Sequence, residues 1–172
     1  IISANPYYAI ADIYSPDGGI TWDAHIIDQP KTFRSSFDES YTEDSRTQIS
    51  RDKNGQYIYV SYMDTQMEGE EDNNYPDIMA RGIRVADGMM TMADSAGILL
   101  DRATNVTNLS DGMWQAYFMV MANEVKDVTT GMDIEHVIPF TYEELNITNV
   151  GDPVQYKYIQ DFTFVWAWDN IN

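Results

Sequence analysis

The stretch SPDGGITW, residues 15–22, sits between two runs in which apolar and polar residues alternate, YYAIADIYS before it and ITWDAHIID after it. Alternation with a period of two marks a half-buried strand. Pro16 presets φ for a turn, the Asp17 side chain can cap backbone N–H groups, and Gly18 and Gly19 accept positive φ. The stretch therefore closes a β-hairpin.

A second hairpin follows in RTQISRDKNGQYIYVSYMDT, where Asp52, Lys53, Asn54 and Gly55 form the turn and QYIYVSYM has the β-branched and aromatic content of a strand. Between the two hairpins runs a polar linker, residues 29–45, and after the second comes an acidic loop, residues 66–76. DIMARGIRVA reads as a strand. Residues 114–125, WQAYFMVMANEV, suit either a helix or a buried strand, which periodicity does not separate in a short apolar run. In the last third, IEHVIPFTYEE and QYKYIQDFTFVWAW read as strands, with Pro139 marking an edge strand or a bulge. Eight to ten short strands and no convincing amphipathic helix make the chain all-β.

The 172 residues set a single domain as the expectation, and 44% hydrophobic with 13% aromatic content is enough to build a core. Leu is scarce, at positions 99, 100, 109 and 145 only. A net charge of −18 and a pI near 4.1 repel phosphate backbones and anionic headgroups, so nucleic acid is excluded as a partner. No apolar run approaches the ~20 residues of a membrane span. Cys is absent, which excludes disulfides and thiolate metal sites. The start, IISANPYYAI, lacks Met and a basic n-region, and is read as an internal portion of a longer protein.

Ser15, Asp17, Gly19, Thr21 and Trp22 fill every defined position of the S/T-x-D-x-G-x-T-W pattern, so the turn resembles the Asp-box (BNR repeat) of sialidase-like β-propellers. In that family the Asp caps the turn and the Trp packs the hairpin against its blade. A longer likeness runs through ISRDKNGQYIYVSYMDT, YPDIMARGIRV, NVTNLS, AYFMVMANEV and GDPVQYKYIQDFTF. These segments are similar to those of large propeller proteins exported by Bacteroidota through the type IX secretion system. The resemblance implies a secreted or cell-surface location, and a length of about four blades at about 40–45 residues each. A β-sandwich is the alternative architecture.

Sialidase chemistry would need an arginine cluster, a Tyr–Glu nucleophile pair and an Asp acid/base. The six arginines are Arg34, Arg46, Arg51, Arg81, Arg84 and Arg102, and none stands in the family's F/Y-R-I-P motif. Arg81 and Arg84, three apart on a strand, point to opposite faces. Asp64, Glu68, Glu70, Glu71, Asp72 and Asp77 offer oxygens to Ca²⁺, yet they match no calcium loop and a solvated loop explains them. His25 and His136 have no second His or Cys nearby and read as strand residues. Ser95, in Asp94-Ser95-Ala96, resembles the O-glycosylation site of exported Bacteroidota proteins. The expectation is a non-enzymatic β-propeller module for binding or assembly, with a protein, a surface glycan or other chains of a surface assembly as partner. The rival is part of a carbohydrate-active enzyme, a sialidase-like glycoside hydrolase completed by other blades.

Overall fold

A computed structural model of the chain describes residues 10–28, 47–64, 77–86, 88, 92–93, 99–100, 104–107, 114–146, 151 and 153–166. Among these the protein is all-β, with antiparallel sheets, none of them closed, and no helix. Among the described residues no helix is therefore long and apolar enough to cross a membrane. The expected strands form, and residues 114–121 resolve the one ambiguity in favour of a strand.

The first hairpin pairs β1 (Ile10–Tyr14) with β2 (Asp23–Asp28). Ala11 lies opposite Ile26 and Ile10 opposite Asp28, so Ile27 is an extra residue, a bulge. Ile27 is buried in the core, while Ala11, Ile13, Ala24 and Ile26 share the opposite, exposed face.

The second sheet is β3 (Gln48–Arg51), β4 (Tyr57–Asp64), β5 (Asp77–Arg84) and β8 (Thr104–Asn105), in that order. Asp52 shapes its first turn. One carboxylate oxygen accepts from Asn54 N at 2.9 Å and the other from Tyr57 N at 2.7 Å, while Gly55 takes φ 69°. These bonds close the Asp52–Gly55 turn that the sequence announced. β4 and β5 are buried on both faces, and β4 accordingly runs nearly continuously apolar rather than alternating. Arg81, midway along β5, donates from Nη1 to the Ile27 carbonyl at 2.5 Å, tying the first hairpin to this sheet.

The third sheet is built on β11 (Ile134–Asn146), which pairs along its length with β12 (Gln155–Trp166). On its other edge β11 meets β10 (Lys126–Asp127) near its start and β9 (Trp114–Met121) near its end. β6 (Met92–Ala93) and β7 (Leu99–Leu100) continue beyond β12, β6 pairing with it through Ala93 and Val165. Pro139 occupies a central strand, not an edge. Its missing N–H falls at the register slip between Ile138 and Phe140, the bulge that lets a proline sit there.

The second and third sheets meet face to face. Tyr59, Tyr62, Ile78, Ile138 and Phe140 have no exposed surface, and each such side chain contributes about 1.5–3 kcal/mol relative to exposure. At one edge the contact continues through backbone: Val125 N donates to Arg51 O at 2.9 Å, and Arg51 N to Asn123 O at 3.3 Å.

Candidate functional site

Three places hold chemistry. The first is the turn at residues 15–22. Four hydrogen bonds converge on Asp17: Oδ1 accepts from Ser15 Oγ (3.0 Å), Ile20 N (3.0 Å) and Thr21 N (2.8 Å), and Oδ2 from Thr21 Oγ1 (2.7 Å). Gly19 N donates to Ser15 Oγ at 2.6 Å. The Thr21 bonds foremost hold the Asp17 carboxyl at about 2, well below its ordinary 3.8. Each residue type of the motif thus has a local task. The exception is Trp22, expected under the hairpin but 65% exposed. Its ring instead lies beside Gly19, where a Cβ would stand 3.9 Å from Cζ2. This turn is organised by short-range bonds and does not need the Trp as a wedge.

The second place lies between the two large sheets. Trp166 Nε1–H donates to Tyr59 Oη at 2.9 Å, and Tyr59 Oη stands 2.5 Å from His136 Nδ1. Indole is donor only, so Tyr59 Oη accepts from Trp166, and it shares one further hydrogen bond with His136 Nδ1. Burial pushes the His136 pKa down, partly opposed by Asp127 and Asp52, and pushes that of Tyr59 far up. Both rings are neutral. Around them, Tyr57 stands edge-on to His136 at 5.2 Å, and Phe164 lies 4.6 Å from Tyr59. A Tyr–His pair is a proton-transfer unit where a substrate can reach it; here both side chains are sealed in the core. Its chemistry is that of a polar pin between sheets. His136 is the packed strand residue the sequence suggested; the partners of its ring could not be read there.

The third place is the outer face of the third sheet. Register sets Val120, Thr141 and Tyr158 in one row across β9, β11 and β12, and Tyr117, Glu143 and Tyr156 in the next. Tyr156, Tyr158, Val120 and Phe118 are all exposed, Tyr156 to 83%. Tyr156 hydrogen-bonds Glu143, which raises the tyrosine's pKa. On the opposite face Glu144 accepts from Tyr142 Oη at 3.2 Å and pairs with Lys157 Nζ at 3.2 Å. Burial and Glu144 push Tyr142 up to about 12.

Of the acidic candidates, Glu68, Glu70, Glu71 and Asp72 lie outside the described residues, as do Ser95 and Arg34. The Asp64 backbone faces Asp77 across β4 and β5. Asp77 is buried and accepts from Thr107 Oγ1 at 2.7 Å, while Thr107 Oγ1 accepts from Ile78 N at 3.1 Å. That pairing ties β5 to the end of β8. No group of three or more metal-ligating side chains gathers among the described residues.

Comparison of the chain with protein-family models, curated proteins and solved structures returned no match in any of the three.

Proposed function

We propose that this chain is a non-enzymatic binding or assembly module of a secreted or cell-surface protein, built on the β-propeller plan. The observation that carries the assembly reading is the first hairpin. It turns Ala11, Ile13, Ala24 and Ile26 outward on one face and leaves Ile20 and Trp22 exposed at its tip. A contiguous apolar face of this kind is covered in the working protein, here by a further sheet of the same protein.

Two features support the propeller plan. One is the Asp17-centred turn, whose bonds follow the logic of the motif it resembles. The other is the middle sheet. A blade has a neighbour on each side, whereas each sheet of a two-layer sandwich keeps one face in water. β4 and β5 are buried on both faces, between Ile27 of the hairpin and Phe164 and Trp166 of the third sheet.

Hydrogen exchange on this chain alone and on the full-length product of its gene tests the assembly reading. The amides of residues 11–14 and 24–27 should exchange slowly only in the full-length protein. Equal exchange in both sinks it. Turnover of a fluorogenic sialoside by the full-length protein, abolished by Arg34→Ala or Arg84→Ala, overturns the non-enzymatic half. The assay is run with and without Ca²⁺.

A further inference from the structure

The outer face of the third sheet is distinct from the hairpin face, and among the described residues most of one β12 edge has no neighbour. β11 occupies one side of β12, and on the other side β6 pairs only with Val165. Among the described residues, no strand lies beside positions 155–163 on that side. An edge of this length is normally blunted by outward charges or proline. Here the charged residues of that span are Lys157, held by Glu144 on the other face, and Asp161. Tyr156 and Tyr158 stand on the outer face, about 7 Å apart by strand geometry, with Glu143 and Thr141 beside them on β11.

We propose that β12 takes up an extended, basic segment of another protein, which adds as a strand along residues 155–161 and lays a Lys or Arg side chain over the Tyr156 and Tyr158 rings against Glu143. This rests on the binding-module reading and names its partner class. Three properties select that occupant. The unpaired edge asks for a backbone ladder, which an added strand supplies and a sugar does not. Tyrosine faces next to a carboxylate attract a cation, through the ring quadrupole and through charge. A chain of net charge −18 repels a second copy of itself and favours a cationic partner.

The test uses an acetylated decapeptide alternating Arg and Val, its Glu–Val counterpart, and a peptide of the same Arg and Val content in two blocks. The alternating Arg peptide should bind best and should slow amide exchange at residues 155–161. The Tyr156→Ala/Tyr158→Ala double variant should weaken it roughly tenfold, and Glu143→Gln severalfold. Both substitutions lie on the outer face, so circular dichroism and the melting temperature should match the parent.

No binding of the alternating Arg peptide overturns the proposal. Equal binding of the blocked peptide, or binding indifferent to the tyrosines, reduces it to bulk charge and also overturns it. Binding of cellohexaose or xylohexaose that the double variant abolishes assigns the face to a neutral glycan instead. Concentration-dependent dimerisation lost with the same variant assigns it to a second copy. Either of these sinks the basic strand while leaving the hairpin-exchange test untouched.

Discussion

Asp17 and Tyr59 show two ways in which one polar atom organises many others. Asp17 is exposed and works through geometry: its two oxygens satisfy three residues of its own turn. Asp17→Asn should speed amide exchange at Ile20 and Thr21. It should also remove one component of acid sensitivity. A carboxyl held at about 2 when folded and 3.8 when free contributes stability that is present above 3.8 and lost as pH falls toward 2. Unfolding curves of the two proteins should converge over that window; parallel curves would deny Asp17 the role. Tyr59 is buried and works through necessity. Tyr59→Phe strands the Trp166 N–H and the His136 Nδ1, each costing about 1–3 kcal/mol. Urea titration followed by tryptophan emission measures this, and a loss below about 1 kcal/mol would mean the pin is slack.

Among the elements, β9 combines a register slip with a residue at positive φ. Val120 faces Thr141, yet Tyr117 faces Glu143, so β9 carries one residue more than β11 over the same span. Phe118 is in that bulge with φ 50°, a conformation costly for an aromatic residue. The bulge keeps Met119 and Met121 on the core face while Val120 and Phe118 remain exposed. Phe118→Asn, which tolerates positive φ, should raise stability by about 0.5–1 kcal/mol in thermal unfolding. A loss of stability would show that the ring's contact with Tyr117, 6.0 Å between centroids, outweighs the backbone strain.

At the scale of the whole molecule, charge and burial set the response to solution conditions. A buried neutral His136 with a lowered pKa contributes stability that is complete above its free value of 6.5 and is lost as pH falls below it. An NMR titration of the His136 ring should give a midpoint under 6.5; one at or above it would contradict the buried neutral tautomer. The −18 charge works in another way, by self-repulsion that salt screens. Melting temperature should therefore climb as NaCl is raised to about 0.5 M at pH 7. A flat response would mean that the carboxylates are already compensated locally.

What the sequence by itself determined is local. Alternation in YYAIADIYS, the β-branched and aromatic content of QYIYVSYM, the Asp52–Gly55 turn and the Asp17 turn all rest on bonds or side-chain preferences that span a few residues, so they are legible in order along the chain. That β4 and β5 are buried on both faces was not legible there, because the covering residues come from other sheets. The tertiary structure alone decided which strands meet: β8 joins β5, while β6 and β7, earlier in the chain, pass to β12. It joined Tyr59 to His136 and Trp166 across 77 and 107 positions. It also left Trp22 in water and chose the strand over the helix for residues 114–121. The physical reason is that a turn is stabilised by its own side chains, whereas sheet order and ring contacts follow from how much apolar surface each arrangement buries at once. No short window of sequence carries that total.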